Sequence, residues 1–340
     1  GERPASPARH HPCTATSRRP LRETASLEAP LGPAGFGARL RGVDLTAALS
    51  TDDVAFLLET FHEWKVLCIA TQDLQRFSLS HFEAFANHIG APLPHPGVST
   101  RLRERPVLQV QSNVVGYWRP GLEVGTPLKY EPRDTWHTDI DYEAVPSSAT
   151  IFLSHTAPRP GAEQRGRTEF LDTAQLYDSL SPQLRALADR ITVTRHGNPA
   201  ASFDTARAAV NTCPLVRVHP ATGRRALYGS PGYFRPGSAY SGVSEAEVEA
   251  VLSALDPAQG VEEGPHDRFV LRLGYEEGDV VMCATQSPIA APFLRQRTHV
   301  AGLPSQVGQL LAMAPRASSD HARQPRRPLR TLHVPSLRQG

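Results

Sequence analysis

Short apolar runs that stop after four or five residues constrain this chain more than any other feature. Val66-Leu67-Cys68-Ile69 and Ala149-Thr150-Ile151-Phe152-Leu153 are too brief for core helices, and their unbroken burial-prone character predicts strands covered on both faces. Phe269, Leu271 and Leu273 alternate with other residues, and Gly278-Asp279 separates them from Val280-Val281-Met282, which predicts a hairpin. Helical spacing falls between these runs. Thr51 is placed to cap a helix whose Val54, Leu57, Leu58 and Phe61 share one face. Ser80 with Glu83 makes a capping box ahead of Phe82, Phe85, Ala86 and Ile89, and Gly90 supplies the stop. Leu176, Tyr177, Leu180, Leu184 and Leu187 mark a helix or helix pair, and Ser244 with Glu247 caps another containing Val248, Val251, Leu252 and Leu255. The pattern predicts a mainly β domain with flanking helices, of the α+β class.

The 340 residues suffice for one large domain. Residues 1–30 are rich in Pro, Arg, Ser, Thr and Ala without apolar periodicity, and a disordered N-terminal tail is expected there. The domain is expected over 31–302. From 303 to 340 the chain turns basic and proline-rich with little apolar spacing, which predicts a second disordered or anomalous tail. With 36 Lys+Arg against 34 Asp+Glu the charge is too balanced for a nucleic-acid or membrane-surface partner. Cys13, Cys68, Cys213 and Cys283 form no CxxC pair, which favours a reducing compartment. No apolar stretch approaches the roughly 18 residues of a membrane helix, so a soluble, cytoplasmic protein with a small-molecule substrate is expected. Assembly into a homo-oligomer stays open.

Chemistry concentrates at Trp136-His137-Thr138-Asp139. On an extended segment the side chains at i and i+2 leave the same face, so one imidazole and one carboxylate can converge on a single ion. A second histidine would complete the two-His, one-carboxylate set that holds iron(II) by one face and leaves positions open for substrate and dioxygen. The 14 histidines and 15 aspartates of the chain produce roughly 0.6 HxD pairs by chance, so the motif alone decides little.

Its surroundings decide more. The run from Trp136 through Pro146, Ser154-His155-Thr156-Ala157-Pro158, Gly161 and Thr168-Glu169-Phe170 to Tyr177, Leu180 and Leu184 resembles the taurine dioxygenase family. His219-Pro220-Ala221-Thr222-Gly223-Arg224-Arg225-Ala226-Leu227 is similar to the family's His-Pro-x-Thr-Gly-x-x-Ala-Leu stretch, and Gly37, Ala38, Gly42, Val43, Asp44 and Leu45 match near the start. The resemblance covers about residues 30–283. It implies a double-stranded β-helix, or jelly roll, with Fe(2+) in its mouth and 2-oxoglutarate and O2 as cosubstrates. It further implies hydroxylation of a small, anionic molecule such as an alkyl sulfonate. Carried over by position, His137 and Asp139 are metal ligands and Thr168 binds a carboxylate of 2-oxoglutarate. Arg297, in Arg297-Thr298-His299-Val300-Ala301-Gly302, matches the arginine that takes the other carboxylate, a task suited to a planar, doubly donating cation. His95 falls where some members place a substrate-facing histidine, whereas His219 reads as a turn residue. The loop over 111–134, punctuated by Gly116, Pro120, Gly121, Gly125, Pro127 and Pro132, is expected to cover the site.

One element of the pattern is missing. The family's second histidine ligand is expected shortly after Val280-Val281-Met282, in a segment like Trp-Asp-Asn-Arg-x-x-x-His, and Ile289 stands at its place. His299 is the nearby imidazole that could substitute. A one-base shift of an allowed back-translation over 285–292 restores Asn-Arg-x-x-x-His, so the nucleotide sequence tests whether Ile289 belongs to the native frame. The rival expectation is a catalytically impaired member that keeps the fold and binds a ligand.

Overall fold

The computed structural model describes residues 19–32, 34–94, 102, 104–110, 138–144, 147–155, 167–196, 210–218, 223–228, 239–255, 267–284, 292–297 and 309–314. Sixteen strands are found among them. In chain order these are β1 Ser26–Glu28, β2 Ala38–Arg41, β3 Val66–Ile69, β4 Ala91–Leu93, β5 Gln109–Val110, β6 Ala149–Leu153, β7 Arg167–Asp172 and β8 Thr192–His196, then β9 Val210–Pro214, β10 Val216–Val218, β11 Arg225–Leu227, β12 Ala239–Ser241, β13 Val270–Leu273, β14 Val280–Ala284, β15 Pro292–Arg297 and β16 Gln309–Ala314. The helices are α1 Leu21–Thr24, α2 Thr51–Trp64, α3 Leu79–Ile89, α4 Thr173–Ser179, α5 Pro182–Ala188 and α6 Glu245–Leu255.

The main sheet runs β1-β2-β3-β14-β6-β16-β4, with β5 added beside β16. Its centre is made of the apolar runs read from the sequence, and their composition follows from what covers them. On β3, Leu67 and Ile69 pack with Ile151 and Leu153 of β6, Val280 and Met282 of β14, and Leu57, Phe61, Phe82 and Phe85 of α2 and α3. Val66 and Cys68 leave by the opposite face and join Phe152, Val281 and Cys283 against Phe170 of β7 and Leu271 and Leu273 of β13. Both faces of the sheet are thus dry, which is why these strands carry no polar alternation. The sheet β13-β7-β15 lies across that second layer. A third cluster joins α4, α5 and α6 to the sheet β12-β8-β9 through Leu176, Leu180, Val193, Val248, Val251 and Leu255.

Several expectations are corrected. β13 does not form a hairpin with β14: it pairs with β7, whereas β14 pairs with β3 and β6. Gly278 and Asp279 instead carry the chain from one sheet to the other, and Gly278 accepts from Gln72 N while its own N donates to Ser154 O. The caps sit slightly upstream of the sequence assignments, with Ser50 and Asp53 boxing α2 and Ser78 and His81 boxing α3. The Ser244–Glu247 box before α6 is present. Order begins within the expected N-terminal tail, because Leu21 is fully buried and its N donates to Asp53 Oδ1, and β1 pairs with β2. In the expected C-terminal tail, β16 inserts between β6 and β4.

Candidate active site

Thr150 lies at the middle of the main sheet, opposite Cys283 in the β6–β14 register. Its hydroxyl donates to Asp139 Oδ2 at 2.7 Å. Its carbonyl accepts from the Cys283 thiol at 3.6 Å. Burial pushes that thiol well above its ordinary value, and the neighbouring negative charge of Asp139 raises it further. The Asp139 carboxylate therefore reaches the inner, dry side of the main sheet, at the strands that bound the second core layer.

Asp139 opens a turn, and the His137 half of the i, i+2 pair lies outside the described residues. Residues 139–142 form a turn, with Glu143 N donating to Ile140 O. Ile140 has φ 45°, a left-handed conformation that a β-branched residue adopts at a cost of roughly 1–3 kcal/mol. Ile140 and Tyr142 are buried against each other. Asp141 lies between them. It is ion-paired through Oδ2 to Arg195 Nε at 3.1 Å, and its carbonyl accepts from Asn211 Nδ2 at 2.9 Å.

Thr168 is on β7, on the same face as Phe170, and is 1% exposed. Its Oγ1 faces the buried hydroxyl of Tyr275, and among the described residues no third group bonds to either oxygen. Burial pushes the Tyr275 phenol well above its ordinary value, and Thr168 offsets that in part. Tyr275 stands edge-on to Phe152 at 5.2 Å between ring centres. When one hydroxyl of such a pair donates to the other, the second O–H is left to donate to an acceptor such as a carboxylate.

Arg297 lies on β15, where its backbone pairs with Arg167 and the preceding Gln296 stands opposite Thr168. The register brings the Arg297 backbone next to the strand that carries Thr168. His137, His95, His219, Ile289, His299 and the loop over 111–134 lie outside the described residues. No group of three or more His, Cys, Asp or Glu that could hold a metal is formed among the described residues. No described helix is long and apolar enough to cross a membrane. The donor set present fits a divalent metal at one point, the Asp139 carboxylate fixed by Thr150.

Sequence reasoning missed Thr150, Tyr275 and the Arg195–Asp141 pair. Each is distant along the chain from what it contacts, and its residue type is ordinary for a strand or a surface.

The family model of the taurine catabolism dioxygenase TauD, TfdA family matches residues 27–285. An alpha-ketoglutarate-dependent sulfate ester dioxygenase of Pseudomonas putida is 28% identical over 209 residues, covering 56% of this chain and 62% of that protein. An alpha-ketoglutarate-dependent sulfonate dioxygenase of Saccharomyces cerevisiae is 29% identical over 154 residues, or 43% of this chain and 35% of the yeast protein. The chain thus spans less than two thirds of each of these curated relatives. The crystal structure of a taurine dioxygenase from Burkholderia xenovorans superposes with a TM-score of 0.63 at 26% identity, covering 86% of this chain and 91% of that one. The matched stretch takes in the Asp139 turn, Thr150, Thr168 and Tyr275 and ends one residue past Ala284, the last residue of β14. This chain belongs to the taurine catabolism dioxygenase TauD, TfdA family.

Proposed function

We propose that the chain is an iron(II)- and 2-oxoglutarate-dependent dioxygenase acting on a small anion of the alkyl sulfonate or sulfate ester type. The observation that carries this reading is the Asp139 carboxylate, fixed by Thr150 beside the core layer that also holds the two facing, buried hydroxyls of Thr168 and Tyr275. In this reading the two sheets form the family's jelly roll. His137 and Asp139 hold the metal, Thr168 and Arg297 hold the two carboxylates of 2-oxoglutarate, and His95 faces the substrate. Iron(II) held there would supply dioxygen activation, in which 2-oxoglutarate would lose CO2 to become succinate and succinate and the hydroxylated substrate would each take one oxygen atom.

The protein's own contribution is positional. Thr150 donates to Oδ2 of Asp139, which fixes the rotation of that carboxylate. Thr168 and Tyr275 present donors in a dry layer, where a hydrogen bond to a carboxylate is worth more than in water. The anionic substrate class rests on the names of the Pseudomonas and yeast relatives.

A second reading is favoured by Ile289, an aliphatic side chain at the expected place of a ligand. In it the chain binds 2-oxoglutarate without turnover. Succinate formation with iron(II), ascorbate and 2-oxoglutarate, measured with a panel of alkyl sulfonates and alkyl sulfate esters, separates the two. The first reading predicts succinate that depends on the anion and disappears in His137→Ala. Binding of 2-oxoglutarate with no succinate from any of the panel would establish the second.

A further inference from the structure

The turn that presents Asp139 is held from two sides by different parts of the fold. From the main sheet, Thr150 takes the Asp139 carboxylate. From the β12-β8-β9 sheet, two residues that are directly opposite each other in the β8–β9 register, Arg195 and Asn211, both take Asp141. Arg195 binds its carboxylate at 3.1 Å and Asn211 its carbonyl at 2.9 Å. Arg195 is itself fully engaged. Nη1 contacts Cys213 Sγ at 3.1 Å, Nη2 donates to Tyr228 O at 2.7 Å, and the guanidinium lies 5.0 Å from the centre of the Tyr228 ring. Arg195, Asp141 and Asn211 are all buried. A guanidinium whose three nitrogens are each assigned to a different group cannot swing without losing several contacts, so it is a fixed anchor.

Between the two anchors lies Ile140 in its left-handed conformation. A β-branched residue stays there only when its surroundings impose it. Burial against Tyr142 supplies one constraint, and the grip on Asp141 supplies the other. Released, Ile140 would relax toward negative φ, and the direction in which Asp139 leaves the backbone would rotate with it.

We infer that Arg195, acting through Asp141, is a positioning residue that holds the strained Ile140 turn and so aims the Asp139 carboxylate at the metal. The inference rests on the reading of Asp139 as a metal ligand. Outer contacts of this kind commonly govern metal affinity by about 10- to 100-fold.

The test is Co(II) binding by the full-length apoprotein, followed by calorimetric titration and by the visible absorption of bound Co(II), beside the thermal midpoint. Removing Arg195 alone would strand a buried carboxylate, so the informative variant is the neutral pair Asp141→Asn/Arg195→Gln. It is expected to fold, to bind Co(II) about 10- to 100-fold more weakly than wild type, and to show an altered Co(II) spectrum. Arg195→Lys, which keeps the charge and loses the fork, is expected to fall between the two. A neutral pair that folds and binds Co(II) as wild type does, or one that does not fold, overturns the inference. Asp139→Ala separates the two levels: if it binds Co(II) like wild type, the ligand reading fails, whereas if it loses binding while the neutral pair does not, the positioning role alone fails.

Discussion

Lys65→Met tests how the site's two sheets are tied together. Lys65 ends α2 in a left-handed conformation, φ 67°, and enters β3 of the main sheet. Its Nζ reaches Asp172 Oδ2 at 2.6 Å, at the end of the strand that carries Thr168. Asp172 is fully buried and also caps α4, accepting from Ala174 N at 3.0 Å, Gln175 N at 3.2 Å and Gln175 Nε2 at 3.0 Å. Burial pushes its carboxyl up, but the Lys65 charge and the donors from Lys65 and Gln175 outweigh burial and hold it below the ordinary carboxylate value. Removing one partner of a buried pair costs about 3–5 kcal/mol, and the three remaining donors to Asp172 argue for the lower end. With an unfolding entropy of roughly 2.1 cal/mol/K per residue over a chain of this length, about 3 kcal/mol lowers the thermal midpoint by about 4 °C. The sign with pH follows from the depressed value. The pair's contribution is complete above the unfolded carboxyl value of about 3.9 and is lost as pH falls through the lower folded one. In the variant burial is opposed by the Gln175 donors without the Lys65 charge, the carboxyl titrates higher than in wild type, and the gap narrows as acid protonates it. Differential scanning fluorimetry from neutral to acidic pH reads both effects. A midpoint unchanged at neutral pH, or a gap that widens in acid, would refute the reasoning.

Thr150→Val keeps shape and removes the donor to Asp139, so Co(II) affinity should fall about 10- to 100-fold in a titration while the fold persists. Thr168→Val should raise the apparent KM for 2-oxoglutarate at least tenfold with a smaller change in kcat, read from succinate formation, because the lost hydrogen bond serves the bound cosubstrate throughout. Gly278→Ala places a Cβ 2.1 Å from Gln72 O at a φ of 85°, a clash with backbone that no rotamer relieves, and a thermal melt should show a loss of at least about 2 kcal/mol.

The strands at the heart of the main sheet were legible because burial on both faces favours apolar residues at every position, and β3 satisfies that throughout and β6 everywhere but at Thr150. The connection from β13 to β14 was not. Gly278-Asp279 has the chemistry of a tight turn, but Asp279 is fully buried, ion-paired to Arg39 and bonded to Thr71 N, all distant in sequence, and these contacts direct the chain into a different sheet. The ordering of Leu21 was hidden for a similar reason, since its partner is the Asp53 side chain of α2. At the site, Asp139 stood out through its HxD spacing, and Thr168 through the Thr168-Glu169-Phe170 part of the family-like run. The turn at Ile140 did not, because nothing in a β-branched residue announces positive φ. Burial against Tyr142 and the contacts of Thr150 and Arg195 with the residues on either side surround that conformation. The family match stops at residue 285, just before the stretch in which Ile289 replaces the expected histidine.

The metal stoichiometry of the anaerobic, full-length protein bears most directly on the account. Titration of the apoprotein with iron(II) should give one equivalent bound per chain, lost in both His137→Ala and Asp139→Ala at an unchanged thermal midpoint. An apoprotein that takes up no iron(II), or one whose uptake survives both substitutions, would contradict it.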